Sequence, residues 1–101
     1  MVTEVNDFSA IKKGNVIVDF YTSSCGPCKA MNPILEEISK EYDHITVAKV
    51  NVANNPDMTQ MFGIMSVPTV IFLKDSQVRH VSHGFSNKES FRGLVRKYCC
   101  A

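Results

Sequence analysis

The chain alternates between short apolar runs, typical of buried strands, and stretches with an apolar residue every three or four positions, typical of helices. The run from Val16 to Tyr21 is apolar on both faces apart from Asp19, which indicates a central strand covered on both sides. Asp75 and Ser76 predict a hairpin turn, so the last two strands are antiparallel. The predicted strands are Val2 to Val5, Val16 to Tyr21, Ile45 to Val52, Val70 to Leu73 and Gln77 to His83.

Helices are predicted between these strands. Asp7 or Asn6 can cap a short first helix, Pro27 suits the first turn of a long one, and Ser86 with Glu89 matches a capping box for the last. The predicted inward-facing residues are Phe8 and Ile11; Cys28, Met31, Leu35, Ile38 and Tyr42; Met58, Met61 and Phe62, before Gly63 ends that helix; and Phe91, Leu94, Val95 and Tyr98.

The resulting order of elements is β-α-β-α-β-α-β-β-α. This order predicts an α/β fold in which a central mixed β-sheet is flanked by helices on both faces. At 101 residues the chain is long enough for one hydrophobic core, so we expect a single domain over residues 1–101.

Charge and composition exclude several classes of function. The formal net charge is +1, which gives no electrostatic reason to bind nucleic acid or an anionic membrane surface. No apolar run approaches the roughly 20 residues that cross a bilayer. The first residues lack the basic and apolar regions of a signal peptide, and the cysteines are not spread as in a disulfide scaffold. We therefore expect a cytoplasmic protein.

Cys25 and Cys28 form a C-x-x-C motif, for which three interpretations compete. A structural zinc site needs a second ligand pair, and the sequence has none at ligand spacing, so no metal is expected. A purely structural disulfide is disfavoured because a bridge over two residues constrains little of the unfolded chain. The remaining interpretation is a redox-active pair.

The redox interpretation has a physical mechanism. Cys25 falls where a strand ends and a helix begins, where free N–H groups and the helix dipole favour a thiolate. A thiolate is the species that attacks a disulfide. Cys28 lies one turn into the helix on its buried face, which predicts a slower, protonated thiol that resolves the mixed disulfide. Gly26 and Pro27 set the turn that allows the two sulfurs to bond.

Asp19 is a carboxylate in a buried strand, six residues before the cysteine motif. Burial raises the pKa of an acid, so Asp19 could take the proton from Cys28 and return it in the reverse step. The alternative is a structural ion pair with Lys49, which lies in the next apolar strand.

The segment D-F-Y-T-S-S-C-G-P-C-K resembles the active-site segment of the thioredoxin family. The resemblance continues over nearly the whole chain. The further matching positions are Pro33, A-K-V-N-V around Lys49, Asn55-Pro56, G-I-M-S-V-P-T from Gly63 to Thr69, and Gly84. It implies a thioredoxin fold and a protein-disulfide reductase in which Cys25 attacks, Cys28 resolves, Asp19 carries a proton and Lys49 tunes it.

The resemblance also implies a substrate-binding surface. Pro68 would be cis, whereas from the sequence alone a trans bond is favoured because cis is rare. Val67 would offer its backbone to an extended peptide, and Gly84 would allow a close backbone approach. Tyr21 would line the site. Ser24 stands where thioredoxins usually carry Trp, and its hydroxyl could donate to a thiolate.

Partners follow from the same resemblance. They are an NADPH-dependent flavoprotein, thioredoxin reductase, and disulfide-containing target proteins. We expect no cofactor on this chain, since no glycine-rich phosphate loop is present.

The alternative function is a non-catalytic binding module on the same fold, with a peroxidase or glutathione-dependent oxidoreductase as a weaker third. Cys99 and Cys100 are expected to be semi-exposed thiols at a frayed end with no role, the alternative being a regulatory role by oxidation or by pairing between molecules.

Overall fold

The computed structural model describes residues 1–99 of the chain. The strands are β1 (Val2–Glu4), β2 (Asn15–Tyr21), β3 (Ile45–Asn51), β4 (Thr69–Lys74) and β5 (Gln77–His83), and the helices are α1 (Gly26–Glu41), α2 (Pro56–Met61) and α3 (Lys88–Cys99), with a short 3-10 helix at Phe8–Ile11 between β1 and β2. The predicted order of elements is confirmed, and the observed strand bounds differ from the predicted ones by at most one residue at each end.

The sheet has the strand order β1-β3-β2-β4-β5. The first three of these strands are parallel, whereas β4 is antiparallel to both β2 and β5, so the predicted mixed sheet is confirmed. Three charged residues are in register across the parallel strands: Glu4 pairs with Lys49, and Lys49 with Asp19. Residues in register have side chains on the same face of a sheet, so this row of charges crosses three strands.

Two hydrophobic clusters cover the two faces of the sheet. One cluster joins Ile17 and Val47 to residues of α1 and α3, and the other joins Val16 and Val18 to the 3-10 helix and α2. Side chains alternate along β2, so Asp19 lies on the same face as Ile17, beneath α1. Helices therefore lie on both faces, as predicted, and the buried acid faces the helix that carries the cysteines.

The β4–β5 hairpin has the turn that the sequence predicts. Asp75 and Ser76 both have positive φ, 47° and 73°, as two-residue hairpins require. The Asp75 carboxylate accepts a hydrogen bond from the Gly14 N–H at 2.9 Å, and the Asp75 N–H donates to the Gly14 carbonyl. These bonds tie the turn to the start of β2.

Two predictions about helices were wrong. Met61 is 59% exposed, because α2 ends there and the Phe62 ring instead packs against Phe20, with 5.7 Å between the ring centroids. The last helix is capped by Asn87 and not by a Ser86–Glu89 box: the Asn87 Oδ1 accepts from the Ser90 N–H at 2.8 Å. The Asn87 side chain offers a capping acceptor just as Ser86 does one residue earlier, so the sequence allows the helix to begin after either residue.

The prediction for Cys99 was also wrong. Its side chain is 2% exposed and belongs to the cluster formed with α1 and α3. The helix continues to the end of the described chain, and its inward face reaches Cys99 four residues after Val95. The prediction for Cys100 lies outside the described residues.

Candidate active site

Cys25 and Cys28 are joined by a disulfide, with 5.2 Å between their Cα atoms. Cys25 is the N-cap residue of α1, and its Sγ accepts a hydrogen bond from the Cys28 N–H at 3.1 Å. A capping acceptor at this position is stabilised by free N–H groups and by the positive end of the helix dipole. The geometry therefore favours negative charge on the Cys25 sulfur.

The two cysteines differ in exposure. Cys28 is 2% exposed, whereas Cys25 is half-buried at the surface. Gly26 and Pro27 form the exposed first turn of α1 between them, and Ser24 is exposed just before it. An attacking group from outside can therefore approach Cys25 but not Cys28.

Asp19 is fully buried, and its carboxylate oxygens have no hydrogen-bond partner among residues 1–99. Burial raises the pKa of Asp19 to about 7, against the opposing positive charge of Lys49 and with a smaller contribution from the negative charge of Glu4. Both protonation states of this carboxyl group are consequently populated at neutral pH.

Lys49 does not form the direct ion pair with Asp19 that was the alternative interpretation of this acid. The ion pairs found within residues 1–99 link α1 to α3 on the surface, through Glu37, Glu41, Lys88 and Arg92. The Lys49 Nζ instead donates to the Asn32 Oδ1 at 2.7 Å and lies 4.3 Å from the centroid of the Tyr21 ring. Lys49 therefore acts on Asp19 through space and not through a direct bond.

A cavity of about 150 Å³ lies beside Cys28. It is lined by Tyr21, Thr22, Ser23, Cys28, Lys29, Asn32 and Lys49. Sequence reasoning overlooked Asn32, although it lies four residues after Cys28 and so on the same face of the helix. Helical spacing counted outward from the buried cysteine would have identified it.

Tyr21 closes one side of this cavity. Its hydroxyl donates to the Glu4 Oε1 at 2.7 Å. Burial, followed by this hydrogen bond to a carboxylate, raises the pKa of Tyr21 to about 12, so the phenol remains protonated at neutral pH. The ring is held in place and offers its face to the Lys49 ammonium.

The Val67–Pro68 peptide bond is cis. Pro68 is buried, and its carbonyl accepts from the Gly84 N–H at 2.8 Å, which joins two of the residues expected to bind substrate. Gly84 has a φ of +79°, a conformation that side-chain-bearing residues rarely adopt. The cis bond is the one that the family resemblance implies, whereas the sequence alone predicts a trans bond.

Val67 lines a second cavity, of about 230 Å³ and mainly apolar. It is lined by Thr22, Val52, Thr59, Ile64, Met65, Ser66 and Val67. Thr22 lines both cavities, and its carbonyl accepts from the Cys25 N–H at 3.3 Å. The apolar surface is thus continuous with the loop that carries the reactive cysteine.

Two classes of site find no support in residues 1–99. No group of three or more His, Cys, Asp or Glu side chains is arranged to hold a metal ion. No helix in this part of the chain is long and apolar enough to cross a membrane.

A bonded cysteine pair at a helix N-terminus, with a buried acid on the face of a mixed sheet beneath that helix, defines the class of thiol–disulfide oxidoreductases. The thioredoxin family model matches residues 2–97, so the chain belongs to the thioredoxin family. The Cys25–Cys28 pair is its redox-active centre, and the protein is a protein-disulfide oxidoreductase.

Individual relatives agree with the family match. The chain is 41% identical to the thioredoxin of Bacillus subtilis over 90% of its length and 89% of the relative's. It is 34% identical to the thioredoxin of Chlamydia trachomatis, over 97% and 96%. A solved structure of a mutant thioredoxin from Halobacterium salinarum superposes with a TM-score of 0.90 at 24% identity, covering 97% of this chain and 90% of that one, which supports the fold.

Proposed function

We propose that the protein reduces disulfides in target proteins, with Cys25 as nucleophile and Cys28 as resolving thiol, and that an NADPH-dependent flavoprotein thioredoxin reductase restores the dithiol. The observation that carries this proposal is the difference between the two cysteines: Cys25 is reachable and caps a helix, whereas Cys28 is buried one turn below. We place the reaction in the cytoplasm, where thiols are kept reduced.

In the first step the Cys25 thiolate attacks one sulfur of the target disulfide. A mixed disulfide forms between Cys25 and the target, and the second target sulfur leaves as a thiolate. The capped position of Cys25 supports this role because it stabilises the thiolate before attack.

In the second step Cys28 loses its proton and attacks the Cys25 sulfur. The Cys25–Cys28 disulfide forms, and the first target sulfur leaves as a thiolate that takes a proton from solvent, so two electrons have passed to the target. We assign the proton to the Asp19 carboxylate, whose pKa of about 7 suits both uptake and release near neutral pH. Lys49 adjusts this carboxylate by its charge.

The composition of the linker supports electron flow from the protein to its target. Gly26 and Pro27 place no titratable group between the cysteines, so the reduced form receives no additional stabilisation from the linker. A less stabilised thiolate favours oxidation of the pair and reduction of the target.

Turnover driven by NADPH tests this function. With a bacterial thioredoxin reductase and insulin, we expect NADPH to be consumed in proportion to insulin disulfides reduced, at a rate proportional to the protein added. A docking module that lacks redox activity would leave NADPH unchanged, as would a Cys25→Ser control. That result with the wild-type protein would reject the proposal.

The apolar cavity beside Val67 is assigned to target binding. Its rim carries Met65, whose side chain is 97% exposed next to the cysteine loop. Val67, Pro68 and Gly84 present backbone at the same place, which supports docking of an extended target segment.

Met65→Asp should therefore raise the KM for insulin by about tenfold, since losing one apolar contact costs roughly 1.5 kcal/mol. The rate with a small disulfide, such as bis(2-hydroxyethyl) disulfide, should be unchanged because it does not need the surface. Met61→Asp is the matched control, as Met61 is exposed but lines neither cavity. Equal effects of the two substitutions would contradict the assignment.

A further inference from the structure

Lys49 lies between two carboxylates but forms its hydrogen bond with neither. Glu4 and Asp19 flank it in register on β1 and β2. The Nζ nevertheless donates to the neutral amide oxygen of Asn32, on α1, at 2.7 Å. An ammonium group in partly buried surroundings ordinarily pairs with an available carboxylate, so the choice of a neutral acceptor requires a reason.

The acids around Lys49 differ in whether they already have partners. Glu4 accepts from the Tyr21 hydroxyl, and Glu36, which lines a neighbouring cavity with Lys49, accepts from the Val2 N–H at 3.2 Å. Asp19 has no hydrogen-bond partner within the described chain. An ion pair with Lys49 would therefore stabilise the carboxylate of Asp19 more than that of either glutamate. The Lys49 ammonium nevertheless donates to Asn32 and not to Asp19.

We propose that Asn32 is a positioning residue that holds the Lys49 ammonium against α1, beside Cys28, and so withholds a direct ion pair from Asp19. The inference rests on the proposed role of Asp19 as the proton carrier and adds what keeps that acid uncompensated. Asn32 lines the cavity shared by Cys28 and Lys49 and follows Cys28 by four residues on the same face of the helix.

A neutral amide is suited to this task. A carboxylate at position 32 would add a second negative charge next to the cysteine pair, whereas an apolar residue would leave the ammonium without an acceptor on the helix. The amide oxygen retains the lysine and adds no charge. Tyr21 supports the same placement from the other side, with its ring 4.3 Å from the Nζ.

Asn32→Leu removes the acceptor and retains a good helix former. Lys49 then turns to the nearest carboxylate without a partner, and the pKa of Asp19 falls by about one pH unit. The measurement is the titration of the Asp19 carboxyl carbon by NMR in the oxidised protein, where no thiol titrates at the pair. Glu4, Glu36 and Lys29 also face these cavities. The carboxyl carbons of the two glutamates are therefore followed in the same titration, and the titration is repeated in a variant of Lys29.

A double variant shows whether Asn32 acts through the lysine. In a Lys49→Met background, Asn32→Leu should not change the pKa of Asp19, whereas a merely structural role would change it equally in both backgrounds. Asn54→Leu is the control, since Asn54 is exposed and lines neither cavity. An unchanged or raised pKa in the single Asn32 variant, or an equal fall with Met at position 49, would overturn the inference.

The proton-carrier role can fail separately. If Asp19→Asn left the pH dependence of target reduction unchanged while Asn32→Leu still lowered the pKa of Asp19, the proposed function of Asp19 would be wrong and the positioning by Asn32 would stand.

Discussion

Replacing Cys28 with serine should reduce turnover of protein disulfides to the uncatalysed rate while leaving the first chemical step intact. The Cys25 thiolate still caps α1 and still attacks the target. The serine hydroxyl at position 28 cannot form a disulfide, so nothing attacks the Cys25 sulfur from inside the protein. The target consequently stays covalently bound, and the variant accumulates as a mixed disulfide.

Mass spectrometry of the Cys28→Ser protein after incubation with oxidised insulin measures the outcome. We expect one insulin chain attached at Cys25 and removable by dithiothreitol. Cys25→Ser is the matched control and should form no such adduct, because Cys28 is 2% exposed and out of reach. Full turnover by Cys28→Ser, or an adduct that peptide mapping places at Cys28 in Cys25→Ser, would be incompatible with the assigned roles.

Replacing Asp19 with asparagine should slow the resolving step by about 100-fold at pH 7, the lower end of what a positioned proton carrier contributes. The amide has nearly the same shape but cannot accept the proton of Cys28. The release of a fluorescent peptide from a preformed mixed disulfide on Cys25 measures this step directly. An unchanged release rate would remove Asp19 from the mechanism.

The same variant should change how stability depends on pH. Below about pH 4 the Asp19 carboxyl is protonated in the folded and unfolded states, so it does not lower the free energy of unfolding. Between pH 4 and 7 the folded state keeps a proton that the unfolded state loses, so the free energy of unfolding falls as pH rises, by about 4 kcal/mol in total. Above pH 7 the loss is complete and constant.

Asp19→Asn should lack this decline. Urea unfolding of the oxidised proteins from pH 4 to 8 gives the difference in unfolding free energy between variant and wild type. We expect that difference to grow in favour of the variant up to pH 7 and then to level off. Other titrating groups cancel in the difference because both proteins contain them. Parallel pH profiles would show that the pKa of Asp19 is not raised in the folded state.

Much of the fold could be read from local patterns because each pattern reports burial directly. An apolar run covered on both faces identified β2 as a central strand, and the pair Asp75-Ser76 supplied the positive φ of the β4–β5 hairpin turn. The errors fell where two local solutions have similar energies. Met61 and Phe62 both follow Met58 at helical spacing, and only the ring contacts of Phe62 decided between them.

The candidate site divides in the same way. The sequence by itself determined the cysteine pair, the helix start at Gly26 and an acid within an apolar strand, since spacing and composition fix these along the chain. Only the tertiary structure decided that Lys49 bonds to Asn32 and not to Asp19, that Val67 and Thr22 share a cavity, and that Cys99 is buried. Those outcomes depend on distances between segments far apart in the chain, and the competition among several nearby partners is settled only when the helices pack on the sheet.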